Sequence, residues 1–203
     1  MDNKLELRVT LEPNLARMHE LVNIGRMLAA KGDAKYVIDG VNFFPHITLY
    51  TLAAPEYNLG KIEYKLSEIV KEFNQISLQA GELKKGYDGY IISLIEKTPE
   101  LYSLHKKIVM ELNPLREGLA PHTHVSKNEL SNVKLEVMEK YGHHNVLEGF
   151  DPHVTFVRYN SPDKAESLLK KIHLLAPKIL FDRVQLSQWS SKKLTLIAEF
   201  QLK

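Results

Sequence analysis

Two pentapeptides of the chain place a histidine two residues before a threonine, and both begin with proline. They read Pro-His-Ile-Thr-Leu and Pro-His-Val-Thr-Phe, and they contain His46 with Thr48 and His153 with Thr155. The apolar neighbours predict β-strands, in which residues i and i+2 point to the same face. Each motif therefore presents an imidazole beside a hydroxyl. An imidazole exchanges a proton near neutral pH and a hydroxyl donates to a phosphoryl oxygen, so the pairing predicts acid–base chemistry on a phosphate ester.

Coincidence is the alternative explanation of the two motifs. In a chain with 9 histidines and 44% hydrophobic residues, the pattern His-apolar-Ser/Thr-apolar is expected about 0.2 times by accident. Two occurrences, each after a proline, favour a shared function over two core histidines whose neighbours happen to be similar.

The elements predicted around the two motifs follow the same order. Apolar residues that alternate predict strands, and apolar residues at helical spacing predict helices. Each histidine strand is preceded by a helix and followed by a helix and two strands. This repeated order indicates a duplicated α/β unit. Strands are predicted at 5–11, 36–38, 46–52, 76–83, 90–95, 150–159, 179–187 and 194–202, and helices at 14–30, 59–73, 99–112 and 164–174.

The second half contains an insertion of about residues 117–148, between its first helix and its histidine strand. It holds His122, His124, His143 and His144. His122 and His124 have a spacing that can present two metal ligands, but no carboxylate or third histidine follows at a spacing typical of a metal site. We expect solvated loop histidines here; a lid that brings His122 or His124 to the substrate is the alternative.

Composition excludes several classes of protein. With no cysteine among 203 residues, the chain has no disulfide, thiolate catalyst or iron–sulfur cluster. The net charge of +2 suits a small anionic ligand better than long nucleic acid. No signal peptide or membrane-spanning run is visible, so we expect a soluble, cytoplasmic protein without a membrane partner.

The motifs resemble those of the 2H phosphoesterase superfamily, which contains 2′-5′ RNA ligase-like proteins and 2′,3′-cyclic phosphodiesterases. Residues 90–96, followed by the Leu-x-x-Leu-His pattern of residues 101–105, are similar to a strand and helix of that family. Arg158, five residues after His153, stands where the bacterial ligase-like members often have arginine. The resemblance covers nearly the full chain.

The resemblance implies an α+β fold: a bilobal, duplicated α/β unit with two mostly antiparallel sheets around a central cleft and helices outside. Residues 1–203 would form a single bilobal domain with halves at about 1–96 and 97–203. A monomer that acts on a small nucleotide or an RNA terminus is expected. Neither metal nor cofactor is implied, because two imidazoles can supply both proton transfers.

The resemblance also implies roles for the motif residues. His46 and His153 would be general base and general acid, in an order that the sequence leaves open. Thr48 and Thr155 would hold phosphoryl oxygens, and Arg158 would neutralise charge in the transition state. The substrate bond would be a 2′,3′-cyclic phosphate or a 2′-5′ phosphodiester, and hydrolysis and ligation both remain open.

Two further predictions depend on strand alternation. Strict alternation turns Tyr50 to the face of His46, which makes it the preferred aromatic for a nucleobase. The same alternation turns Arg158 away from His153, so Arg158 reaches the site only if the strand twists or ends near Val157.

Two other functions are compatible with the sequence. One is a module of the same fold that binds nucleotides or RNA ends without turnover. The other is a metal-dependent hydrolase that uses the histidine-rich insertion.

Overall fold

The computed structural model describes residues 4–120, 130–161, 178–190 and 193–203, together with the single positions 163 and 169. Eight strands run through these residues. They are β1 (Lys4–Pro13), β2 (Ala34–Val37), β3 (Ile47–Pro55), β4 (Ile76–Lys85), β5 (Tyr90–Ile95), β6 (His153–Tyr159), β7 (Lys178–Ser190) and β8 (Lys193–Gln201). Every strand predicted from the sequence is confirmed, with ends that differ by a few residues.

The helices begin at capping residues that the sequence supplies. Asn14 accepts the amide of Arg17 at the start of the first helix, and Thr98 accepts that of Leu101 at the start of the third, where proline takes the first position. The predicted helix at 164–174 lies outside the described residues. Those that the structure describes are α1 (Leu15–Ala29), α2 (Leu59–Val70), α3 (Pro99–Leu112) and α4 (Asn132–Tyr141).

The strands form a closed antiparallel ring. The order is β1, β3, β6, β5, β4, β7, and β7 pairs again with β1; β2 extends the sheet from β6, and β8 extends it from β7. The prediction of two sheets is therefore wrong for the described strands, which belong to one. The cause is pairing between the two halves of the chain, β3 with β6 and β4 with β7.

Strand β1 shows how the sheet separates two environments. Its odd-numbered residues from Leu5 to Leu11 are apolar and almost fully buried. Its other face is polar and also largely buried: Glu6, Thr10 and Glu12 are 6%, 1% and 2% exposed. The ring thus has an apolar face toward the core and a polar face on which chemistry can be placed. Among the helices of the described residues, none is long and apolar enough to cross a membrane.

Candidate active site

The two histidine motifs lie side by side on neighbouring strands. Strands β3 and β6 pair through Ile47 and Val154, the residues between the histidine and threonine of each motif. Antiparallel geometry around this pair sets His46 beside Thr155 and, on the other side, Thr48 beside His153. The four predicted site residues are therefore brought to one place.

All four motif side chains point to the same face of the sheet. Ile47 and Val154 are fully buried, whereas the histidine and threonine on either side of each are half-buried. The two histidines are diagonal neighbours across the strand pair, a relation that separates β-carbons by about 7–8 Å. The two imidazoles are therefore close enough in the sheet to act on a common substrate group.

The same hydrogen bond orients both imidazoles. Nδ1 of His46 lies 2.8 Å from the carbonyl oxygen of Phe44, and Nδ1 of His153 lies 2.8 Å from that of Asp151. A carbonyl oxygen only accepts, so Nδ1 carries the proton in both rings. Each neutral ring therefore keeps its lone pair on Nε2, the nitrogen available to a substrate.

Burial lowers the pKa of both histidines. The pKa of His46 falls from 6.5 to about 4, chiefly through desolvation and further through the positive charges of Arg8 and His153. The pKa of His153 also falls through desolvation, but its bond to the Asp151 carbonyl and the Asp151 carboxylate act in the opposite direction. The two imidazoles thus have the same tautomer and different electrostatic surroundings.

Arg158 reaches the site because β6 contains a bulge. Ile91 pairs with Val157 and Ile92 pairs with Thr155, so Phe156 is an extra residue in the ladder. A bulge shifts the alternation by one residue, and Arg158 consequently returns to the face of His153. Strict alternation is therefore broken by a bulge, and not by the twist or the strand end near Val157 that the sequence analysis required.

Arg158 has hydrogen-bonding and ionic partners of its own. Its Nε donates to the carbonyl oxygen of Asp88 at 3.1 Å, and a terminal nitrogen forms an ion pair with the Asp88 carboxylate. The guanidinium also lies 5.1 Å from the centre of the Tyr90 ring. Arg158 is therefore held at the rim of the site, beside β5.

Tyr50 is turned away from the site by a second bulge. Thr48 pairs with Thr10 and Tyr50 pairs with Val9, so Leu49 is the extra residue and alternation shifts after it. Tyr50 is fully buried, and its hydroxyl donates to the carbonyl oxygen of Tyr141 at 2.7 Å. The prediction that Tyr50 shares the face of His46 and stacks on a nucleobase is wrong.

The comparisons with known proteins decide the family. A family model described as the 2′-5′ RNA ligase superfamily matches residues 29–193, a span that contains both histidine motifs. The chain belongs to this superfamily. The resemblance to the 2H phosphoesterases that the motifs indicated is thereby confirmed.

Solved structures of similar proteins show the same fold. Escherichia coli LigT complexed with phosphate has 12% sequence identity and a TM-score of 0.58, covering 100% of this chain and 99% of LigT. A Thermus thermophilus protein has 13% identity and a TM-score of 0.59, covering 98% of each chain. A structure described as a phosphoesterase has 13% identity and a TM-score of 0.58, covering 99% of each. No curated protein sequence matches the chain.

His105 is the histidine of the Leu-x-x-Leu-His pattern that this chain shares with the superfamily. It is fully buried and stacks on Phe150, with 3.7 Å between ring centres. Its Nδ1 donates to the carbonyl oxygen of Leu49, and its Nε2 accepts the amide of Leu147, both at 2.8 Å. His105 thus joins the bulge behind Thr48 to the segment that leads into the second motif, a role that sequence analysis missed.

The insertion of this superfamily member brings two histidines near the site. His143 and His144 stack with 4.6 Å between ring centres and are half-buried, so the expectation of solvated loop histidines is wrong for them. Burial lowers the pKa of His144 to about 4, and the charge of His153 contributes to that shift. His122 and His124 lie outside the described residues. Among the residues that the structure describes, no group of three or more side chains is arranged to hold a metal ion.

Proposed function

We propose that the protein cleaves or forms phosphodiester bonds at ribose 2′ and 3′ positions, on 2′,3′-cyclic phosphates or 2′-5′ linkages of nucleotides or RNA ends. The observation that carries the proposal is the pairing of Ile47 with Val154, which brings the two His-Thr pairs together on one face of the sheet. Membership of the superfamily and the free Nε2 of each imidazole support it.

The reaction needs two proton transfers, and the two imidazoles supply them. In hydrolysis of a 2′,3′-cyclic phosphate, Nε2 of one histidine removes a proton from water as its oxygen attacks phosphorus. Nε2 of the other donates a proton to the departing ribose oxygen, so that the cyclic ester opens to a monophosphate. A ribose hydroxyl in place of water would give ligation by the same steps.

We assign His46 as the base and His153 as the acid. The charge of Arg8 opposes protonation of His46, which keeps its Nε2 lone pair available. The Asp151 carboxylate favours the protonated form of His153. A bound phosphate raises the pKa of both imidazoles, and the difference between their surroundings persists. Thr48 and Thr155 lie on the same face, where their hydroxyls donate to phosphoryl oxygens.

In this scheme the Arg158 guanidinium leaves its ion pair with Asp88 and binds a phosphoryl oxygen of the substrate, to which it supplies positive charge. An arginine that neutralises a phosphoryl oxygen acts most strongly where charge develops in the transition state. The bulge at Phe156 gives Arg158 the required direction.

The decisive test is turnover of 2′,3′-cyclic nucleotides by the purified protein, with products resolved by chromatography and phosphorus NMR. Escherichia coli LigT has been crystallised with 3′-AMP, so adenosine 2′,3′-cyclic phosphate is a suitable first substrate. We expect one monophosphate isomer. Tight binding of a nucleotide without product over long incubation would replace this proposal with the binding module.

Chelation of divalent metals is expected to leave this turnover unchanged, because the two imidazoles perform both proton transfers. The measurement is kcat/KM before and after dialysis against EDTA. A loss of activity that zinc or manganese restores would instead support the metal-dependent hydrolase.

The pH dependence of kcat/KM is expected to peak below pH 6.5. This parameter reports the free enzyme, in which burial lowers the pKa of both histidines from 6.5. A base must be deprotonated and an acid protonated, so the maximum lies between the two values whichever residue has which role.

Asp151→Asn separates the two roles. It removes a carboxylate that raises the pKa of His153, so this pKa falls further. If His153 is the acid, the alkaline limb of the profile moves to lower pH and the acid limb stays in place. Movement of the acid limb alone would reverse the assignment of base and acid. Glu20→Gln, on the exposed side of α1, is the control and should move neither limb.

A further inference from the structure

Arg8 lies on the same polar face as the histidine motifs. It pairs with Thr51 across β1 and β3, after the bulge at Leu49 has turned residue 51 to the face of His46. The side chain of Arg8 is only 20% exposed. An arginine is thus enclosed on the His46 side of the site.

The two halves of the site place a guanidinium at corresponding points. Thr51 is five residues after His46, as Arg158 is five residues after His153. In the second motif the arginine is on the motif strand, and Tyr90 on β5 is opposite. In the first motif the threonine is on the motif strand, and the arginine is opposite, on β1.

Arg8 has unused hydrogen-bonding capacity. Its Nε is buried and has no acceptor among the residues that the structure describes, and a terminal nitrogen lies 3.7 Å from a carboxylate oxygen of Glu6. The guanidinium lies over Trp189, with 4.6 Å between Cζ and the ring centre. Contact with an aromatic face holds a guanidinium while leaving its N–H edge available to an anion. Arg158, in contrast, already interacts with the carbonyl oxygen and the carboxylate of Asp88.

The charge of Arg8 acts on ionisable groups of several segments. It lowers the pKa of His46 on β3 and of His143 in the segment before the second motif. It also opposes the raised pKa of Tyr90 on β5. The guanidinium is therefore within electrostatic range of groups on three separate segments.

We propose that Arg8 is a second phosphate-binding arginine of this site, donating to the substrate phosphate from the His46 side while Arg158 donates from the His153 side. The inference rests on the proposed function and adds to it. A phosphate that lies between two guanidiniums has both non-bridging oxygens within reach of a donor, and the buried Nε of Arg8 gains the acceptor that it lacks.

The test measures binding of inorganic phosphate and turnover separately. The variants are Arg8→Gln and Arg8→Lys, with Arg17→Gln on the surface of α1 as the matched control, since Arg17 pairs only with Glu20 among the contacts the structure gives it. Titration calorimetry should show phosphate affinity about 10- to 100-fold weaker in Arg8→Gln than in the control. Arg8→Lys should recover part of the loss, because lysine keeps the charge without the planar fork.

Trp189 provides a second readout, since it is the sole tryptophan of the chain and contacts Arg8. Saturating phosphate should change its fluorescence in the wild type and in Arg17→Gln, and should not in Arg8→Gln. Equal phosphate affinity in Arg8→Gln and the control, with both folded by circular dichroism, would overturn the inference. If Arg8→Gln does not fold, Arg8→Lys decides: wild-type affinity and wild-type fluorescence response in this variant overturn a directional contact with phosphate.

The outcomes for Arg8 and for the proposed function are distinguishable. A wild-type protein that turns over cyclic nucleotides but binds phosphate independently of Arg8 retains the function and loses this inference. A wild-type protein without turnover, whose phosphate binding still depends on Arg8, loses the function and retains the phosphate site.

Discussion

His46→Ala and His153→Ala are each expected to lower kcat/KM for a 2′,3′-cyclic nucleotide by about 10²–10⁴-fold, the contribution of one general acid or base. Each variant removes the Nε2 to which we assign one of the two proton transfers. Water in the vacated space is a poorer base and a poorer acid at pH 7. The measurement is steady-state turnover at saturating and limiting substrate concentrations.

The double variant extends this prediction. Attack and departure occur on the same phosphorus, so the two imidazoles act as a unit and their effects are not additive. We expect His46→Ala with His153→Ala to be little slower than the worse single variant. His19→Ala, at an exposed position of α1, is the control. Wild-type turnover by either single variant would contradict the two-histidine mechanism.

Local periodicity explains how much of this site the sequence could predict. His46, Thr48, His153 and Thr155 occupy alternate positions of short apolar strands, and the structure places all four on one face. The distance in sequence between the motifs gave no indication of their pairing. The similar order of elements around them did not indicate it either, because it suggested two separate sheets, whereas the two motif strands pair within one sheet.

The two wrong or incomplete predictions about faces share one cause. Tyr50 and Arg158 each follow a bulge that comes directly after the motif threonine. A bulge arises from the fit of a strand to its neighbour, here β1 for the first motif and β5 for the second. The sequence of the motif strand alone contains no information on that fit, so alternation was extended past the point where it stopped.

Arg8 illustrates a different limit. Its place in an alternating strand predicts a polar face, and a polar face is by default a solvated one. The ring of strands nevertheless buries most of that face, and closure of the ring depends on pairings between residues far apart in the chain, such as β1 with β7. Helix α4 was missed for a simpler reason: its signals, Ser131 before it and Gly142 after it, stand in a segment that was interpreted as an irregular insertion.

His105→Leu is expected to lower the free energy of unfolding by about 2–5 kcal/mol. Leucine has a similar bulk but provides neither nitrogen, so the Leu49 carbonyl and the Leu147 amide both lose a buried partner. Leu147 has a positive φ of 48°, which a non-glycine residue adopts at a cost, and the bond from its amide to His105 helps to hold it there. Urea denaturation followed by circular dichroism measures the change.

His19→Leu is the matched control, since it makes the same substitution at an exposed helix position, where the effect should stay within about 0.5 kcal/mol. Equal stability of the two variants would show that His105 is not the link between the two motifs. If it is, His105→Leu should also lower kcat at temperatures where the variant remains folded. The substitution removes the hydrogen bonds that connect the bulge after Thr48 to the segment before His153. The positions of these two segments set the spacing of the two imidazoles, so the spacing should change.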